Sequence, residues 1–291
     1  MEHLRAVPGH RLRFGRGAQG IERLEAALVG EAFSPHRHDT YAIGMTLTGV
    51  QTFRYRGELR RCLPGEWHVL HPDEEHDGAA GTDEGFGYRI LYVDPYLVQE
   101  ALGGRPLPFV ADPVVGPEAM DPALAACLRH LDEPLEELAW VEVVTLVAAA
   151  LERLADAPAR TRSGAAAGPP PVAALARVRE LIAADPAVRR TAAELEQVSG
   201  LDRWTIARQF RAVFGTSPTR FRTMRRLDLT RRALLSGLPL GEAALAAGFA
   251  DQSHMTRMFR RAYGLTPGQW LAAQTGSPAV TDRPRRSARL P

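Results

Sequence analysis

Hydrophobic and polar positions along the chain fall into two textures. Up to residue 93 the apolar residues gather in short runs, Tyr41 to Thr48, Val50 to Tyr55, Trp67 to Leu70 and Phe86 to Val93, rich in aromatic and β-branched side chains. Gly49, Gly57, Pro64-Gly65, Pro72 and Gly78 punctuate them, so each run suits a strand, and the spacing predicts a small antiparallel sandwich or barrel. From Pro122 to Leu154 leucine, alanine and valine take over, which reads as two helices separated near Pro134. Leu138, Val141, Thr145 and Ala148 make one stripe, widened by Val144, Leu151 and Leu154, that covers the sheet or meets a partner subunit. Beyond residue 171 the period is helical: Val172 to Ala184, Thr191 to Val198, Asp202 to Val213, Thr219 to Leu235, Leu240 to Ala247 and Asp251 to Ala262.

Between the two textures, DAPARTRSGAAAGPPP has proline and glycine against a continuous helix and few bulky side chains, the composition of a flexible linker over residues 156–171. The predicted organisation is a first domain over 1–155, the linker, a second domain over 172–275 and a disordered basic tail over 276–291. A length of 291 residues suits two compact domains, and 45% hydrophobic with 24% charged residues excludes global disorder. No apolar run reaches the length of a membrane span and the N-terminus has no signal-like apolar stretch, so a cytoplasmic protein without a membrane partner is expected. Cys62 and Cys127 are too few for a disulfide framework or a thiolate metal site.

Charge changes the picture once it is divided. The net +2 conceals 14 arginines against 24 acidic residues in 1–154, or −10, and 22 against 10 thereafter, or +12. A basic module beside an acidic one points to a polyanion partner for the C-terminal part. All 36 basic residues are arginine, whose planar fork suits phosphate and guanine.

The basic half contains a duplication. RQFRAVFGTSP at Arg208 to Pro218 returns as RMFRRAYGLTP at Arg257 to Pro267, 49 residues later, and ELEQVSGLD upstream parallels AALAAGFAD. Each copy gives a short helix, a turn glycine (Gly200, Gly248), an apolar plug (Leu201, Phe249) and an aspartate (Asp202, Asp251) placed to cap the next helix, which is helix-turn-helix grammar. Ile206 and Phe210, or Met255 and Phe259, bury the inner face. The outer face then offers Arg203, Trp204, Ala207 and Arg208 in the first copy and Gln252, Ser253, His254 and Arg257 in the second as base or phosphate readers of double-stranded DNA. The intervening segment Thr219 to Leu235 spans roughly 25 Å as a helix, a spacer that sets the two readers near one turn of duplex apart, roughly 34 Å. Trp204 is open to a packing role as well as a DNA contact.

Residues 172–275 resemble the DNA-binding domain of the AraC/XylS family of bacterial transcription regulators, most closely over LGEAALAAGFADQSHMTRMFRRAYGLTPGQW from Leu240 to Trp270. The resemblance implies that the eight outward residues are recognition-helix positions, that Arg226 and Asp228 brace the two units from the connecting helix, and that Phe210, Phe259 and Gly248 are structural.

In the acidic half, FSPHRHDTYAIGMTLTG sets His36 and His38 two apart, on one side of a strand, and PGEWHVLHPDEEHDG adds His68, His71 and His76 among carboxylates. Imidazoles and carboxylates together are divalent-metal chemistry. This segment resembles the cupin-like sensor domain of AraC-type regulators, with His36, His38 and His76 at the positions of cupin metal-binding histidines; the carboxylate expected near Tyr41 to Met45 is absent. The fold class implied is multidomain: an N-terminal cupin-like antiparallel β-barrel with an α-helical extension, then an all-α double helix-turn-helix domain. His36, His38, Tyr41, Trp67, His76 and Tyr88 are the candidate ligand-binding residues, and His36, His38 and His76 the candidate metal ligands. The function expected is a sequence-specific, DNA-binding transcription regulator that is not an enzyme, controlled by a small-molecule effector, acting as a homodimer, with RNA polymerase as a further contact. No cofactor is required on this reading, with a divalent metal in the cupin-like domain as the open exception. The alternatives are a metal-dependent cupin enzyme fused to a DNA-binding domain, and a constitutive DNA-binding protein without an effector.

Overall fold

A computed structural model describes residues 11–155 and 171–275; the expected tail and all but the last residue of the expected linker lie outside them. Ten described strands form two antiparallel sheets. In spatial order the larger holds β1 (Arg11–Phe14), β2 (Ile21–Leu28), β9 (Phe86–Val93), β4 (Tyr41–Gly49), β7 (Trp67–Leu70) and β10 (Val114–Val115); the smaller holds β3 (Glu31–His36), β8 (His76–Ala80), β5 (Gln51–Tyr55) and β6 (Glu58–Cys62).

Neither sheet closes, which corrects the expected barrel to a sandwich of two open sheets. Closure needs edge strands that pair with one another, and here two of them, β3 and β1, meet the C-terminal helices instead. β3 carries Pro35, which has no N–H to give, and its register against β8 shifts twice. On the side of β3 away from β8, Ser34 N–H donates to the Gly264 carbonyl (3.2 Å), and just past the strand Arg37 N–H donates to the Arg261 carbonyl (3.1 Å), both in the C-terminal domain. At the far edge of the larger sheet, Phe14 of β1 meets Trp270 edge-on at 5.9 Å.

Strand alternation assigns the two faces of the larger sheet. Tyr41, Ile43, Trp67, Val69, Leu91 and Val93 face outward into a core shared with α1 (Pro95–Ala101), α2 (Pro122–Arg129) and α3 (Glu137–Leu154). Ala42, Leu70, Tyr88 and Ile90 face inward toward the smaller sheet. Arg23 of β2 is 1% exposed and donates to the carbonyls of Cys127 (2.9 Å) and His130 (3.1 Å), satisfying the end of α2 and pinning the helices to the sheet. The buried side of α3 consists of Val143, Val144, Val147, Ala148, Ala150 and Leu151. Leu138 (85% exposed), Val141 and Thr145 lie on its solvent side, so the expected stripe is rotated from the one that covers the sheet.

Seven helices make up residues 171–275: α4 (Val172–Ala184), α5 (Ala192–Ser199), α6 (Arg203–Phe214), α7 (Pro218–Leu235), α8 (Leu240–Ala246), α9 (Gln252–Tyr263) and α10 (Pro267–Thr275). Thr191 and Glu194 form a reciprocal capping box at α5, and Asp202, Ser217 and Asp251 cap α6, α7 and α9. Gly215 and Gly264 end α6 and α9 in the left-handed conformation. Phe210 and Phe259, equivalent in the two copies, are 0% exposed, and truncating either costs roughly 3–5 kcal/mol. The inter-sheet core continues without a break into α7, α8, α9 and α10 through Met224, Leu227, Phe249, Phe259 and Trp270.

Candidate functional site

Both helix-turn-helix units assemble as their spacing implies: α5 and α6 join through Gly200 at φ 72°, α8 and α9 through Gly248 at φ 75°. Outward from α6 stand Trp204 at 71% exposure, Ala207 and Arg208; outward from α9 stand Gln252, Ser253 and Arg257, with His254 half-buried edge-on to Phe249. An indole that exposed is not packing. Arg203 also lies on this face, but its fork is taken by Glu196, Nε to Oε1 at 2.9 Å and Nη2 to Oε2 at 3.1 Å.

The connecting helix α7 braces the units through two arginines one turn apart. Arg222 donates to the carbonyls of Val188 (3.0 Å) and Ala187 (2.8 Å) before α5, and Arg226 to those of Ala247 (3.0 Å) and Gly248 after α8. The Arg226 guanidinium sits 3.8 Å over the Phe249 ring. Burial pulls the Arg226 pKa down to about 10. Asp228 accepts from the Tyr263 hydroxyl (3.3 Å).

Five further arginines of this domain turn to carboxylates of the acidic half. Arg211 and Arg220 share Asp73 at 2.6 and 2.8 Å, Arg225 meets Asp39 at 3.1 Å, Arg231 meets Glu22 at 2.7 Å, and Arg179 meets Asp94. Backbone contact is equally close. A Cβ added at Gly215 would come within 2.7 Å of Pro72, and one at Gly264 within 2.8 Å of Phe33.

Between the sheets and α7 lies a cavity of about 370 Å³. Leu24, Leu70, Tyr88 and Ile90 form its sheet walls, His36, His38, His68 and His76 its polar side, and Met224, Arg225, Asp228, Arg231 and Trp270 its C-terminal wall. Burial opposes charge on Arg225 and Arg231, yet Asp39 and Asp228 outweigh it at the first and Glu22, Tyr263 and Asp228 at the second, so both pKa values rise. Burial pushes Asp39 up to about 6, offset in part by Arg225.

The rings of His36, His38 and His76 converge, with centroids 4.3, 4.8 and 6.3 Å apart. Each uses Nδ1 on a backbone carbonyl two residues away, of Ser34 (2.9 Å), Thr40 (2.9 Å) and Glu74 (3.0 Å). That fixes the proton on Nδ1 and leaves Nε2 as the free acceptor. Burial, then mutual repulsion, lowers His36 and His38 well below the usual imidazole value; burial brings His76 to about 4 and His68 to about 3. The nearby carboxylates are committed elsewhere, Asp39 to Arg225 and Asp77 to the Arg54 N–H at 2.6 Å. Among the described residues no group of three His, Cys, Asp or Glu side chains is arranged to hold a metal ion.

Family models match both halves: an AraC-like ligand binding domain over residues 18–154 and a helix-turn-helix domain over residues 195–273. A putative AraC-like transcription regulator from Streptomyces lividans is 31% identical over 89% of this chain and 86% of its own length. The chain belongs to the AraC family. A second putative AraC-like regulator, from Streptomyces antibioticus, is 34% identical over a shorter stretch, 46% of this chain and 43% of that one. Among solved structures, ToxT from Vibrio cholerae O395 superposes with a TM-score of 0.62 at 12% identity, covering 89% of this chain and all of that one, and a ToxT bound to an unsaturated fatty acid gives 0.58 over 95% and 99%. At that identity the likeness is one of fold.

For this AraC-family regulator the structure sorts the expected residues. His36, His38, His76 and Tyr88 gather on the cavity. Tyr41 and Trp67 lie on the opposite face of their sheet, the Tyr41 hydroxyl on the Pro108 carbonyl at 3.1 Å, because odd-numbered positions of β4 and β7 point to the helices. His71 is held by both ring nitrogens, Nδ1 at the Tyr55 hydroxyl (2.9 Å) and Nε2 at the Val110 N–H (3.0 Å). Asp39, Arg225 and Arg231 are cavity residues that the sequence did not single out, and His68, named among its histidines, stood outside the ligand-binding set. Alternation within β7 was the available signal for His68; none existed for the arginines, which reach the cavity by domain docking. No described helix is long and apolar enough to cross a membrane.

Proposed function

We propose that this regulator reads promoter DNA through the exposed faces of α6 and α9 and that a small-molecule effector in the interdomain cavity sets how those helices are held. The observation that carries the reading is the composition of the cavity wall: sheet residues of the ligand-binding half and Met224, Arg225 and Arg231 of the connecting helix line the same space. An occupant of that space contacts the helix that braces both units, so its affinity differs between docked and undocked arrangements, and that difference is the free energy available for control. The fatty acid named with ToxT supports a small-molecule occupant in this fold.

Two protomers would read paired sites with the gain of high effective concentration, and the exposed Leu138 and Val141 side of α3 supports a homodimer contact there. RNA polymerase would be met by the surface left free on DNA. Operator selection from a random DNA pool, followed by footprinting with and without the small-molecule fraction of a cell extract, tests the reading. The extract should shift operator affinity for the natural chain and leave a cavity-filling Met224→Trp variant unmoved. No shift in the natural chain would identify a constitutive DNA-binding protein instead. Sedimentation on and off DNA tests the dimer, which a persistent monomer overturns.

A further inference from the structure

The chemistry of the cavity wall restricts what it accepts. Five carboxylates line it, Glu22, Asp39, Asp77, Asp94 and Asp228, against three guanidiniums, Arg225, Arg231 and Arg232; with Arg179 paired to Asp94 from outside the wall, the formal balance is −1. Neither inner guanidinium is free: Arg225 lies 3.1 Å from Asp39 and 3.4 Å from Asp228, and Arg231 lies 2.7 Å from Glu22 and 3.7 Å from Asp228. Arg231 is further enclosed by the rings of Phe14, Tyr263 and Trp270 at 5.2 to 5.3 Å. Arg232 is exposed on the rim, where water screens it. A carboxylate entering this space would lose its hydration beside net negative charge and find both inner guanidiniums already ion-paired, with only the Nε–H of Arg225 and of Arg231 lacking a hydrogen-bond partner.

The imidazole nitrogens on the cavity wall ask for the opposite partner. With Nδ1 of His36, His38 and His76 donating to backbone carbonyls, their Nε2 atoms accept only. Nε2 of His38 and Nδ1 of His68 are buried with no hydrogen-bond partner, a cost that a bound donor would remove. Resting on the effector reading above, we infer that the cavity takes an apolar-bodied molecule carrying hydroxyl or protonated amino donors, seated on the Nε2 atoms of His36, His38 and His76, and that it rejects carboxylates.

A matched probe series on one body tests this with the full-length chain: tyrosol, tyramine, 4-hydroxyphenylacetate and donor-free ethylbenzene, followed by calorimetry and by crystal soaks that place each molecule. Tyrosol and tyramine should occupy the cavity at least tenfold more tightly than 4-hydroxyphenylacetate. His38→Phe, and independently His76→Phe, should lower tyrosol affinity toward that of ethylbenzene. Asp39→Asn, which releases Arg225 from one carboxylate, should narrow the deficit of the acid; it leaves the histidines in place and so stands if the imidazole variants fail to fold. Preferential binding of the acid, a cavity that takes none of the four, or binding that appears only after loading with zinc, iron or nickel would overturn the inference. Donor binding in the expected order without any change in operator affinity would uphold the ligand class and sink effector control instead.

Discussion

At the scale of the residue, the arginines carry two unlike jobs that their count conceals. Arg208 and Arg257 point to solvent from the two recognition helices, while Arg211, Arg220, Arg225 and Arg231 are spent on carboxylates of the first half. Arg203 falls between, exposed in place yet forked onto Glu196. We therefore expect Arg208→Ala and Arg257→Ala each to weaken operator binding at least tenfold in a gel-shift titration, with Arg203→Ala costing less than a third of that effect. Equal losses for all three would show that Arg203 leaves Glu196 on DNA. Trp204→Ala should leave the urea midpoint unchanged and still reduce operator affinity several-fold, since its indole is exposed; a lowered midpoint would return it to packing.

At the scale of the element, the helix-turn-helix units were legible because their signals are local. Caps, turn glycines and inner-face aromatics act within a few residues of one another, and the predicted helices over 172–262 agree with the observed ones to within about a residue at each end. Strands were less legible. IERLEAAL, β2, spaces Ile21, Leu24 and Leu28 as a helix would, and becomes a strand because β1 and β9 bond to both its edges. HDGAA, β8, has no β-branched residue and is held by β3 and β5. The turn glycines separate in their demands. Gly200 has open space about its missing Cβ, so Gly200→Ala pays only the left-handed backbone, about 1 kcal/mol. At Gly248 a Cβ would also stand 2.9 Å from the Ala187 backbone, where the two units meet. Gly248→Ala should then cost about 1–3 kcal/mol more by urea denaturation, and equal costs would contradict the close approach.

At the scale of the whole molecule, five buried histidines set the response to acid. Burial holds His68 at about 3 and His71 and His76 at about 4, with His36 and His38 also well depressed. The unfolded chain takes up protons near 6.5 where the fold refuses them, so their stabilisation is whole above that pH and is lost as pH falls toward 4. The loss is about 2 kcal/mol per histidine by pH 5. Asp39, raised to about 6 by burial, works in the opposite sense and offsets part of one histidine. Urea midpoints should fall steeply between pH 7.5 and 5; a flat profile would mean that the fold accommodates imidazolium. The charge split of −10 and +12 also acquires a second meaning at this scale. Read as sequence it announced a polyanion partner, and part of it proves to be the attraction that docks one half of the chain on the other.

The amino-acid sequence by itself determined the two reading units, their outward faces and the divided charge, because each rests on neighbours a turn or two apart. It placed His36, His38 and His76 together as candidates, and they converge. Tertiary structure alone decided that the sheets stay open, that Tyr41 and Trp67 turn away from the cavity, and that Arg225 and Arg231 close it. Those outcomes depend on strand register and on contacts between residues more than a hundred positions apart, such as Arg225 with Asp39, and spacing along the chain carries no record of which distant carboxylate an arginine will meet.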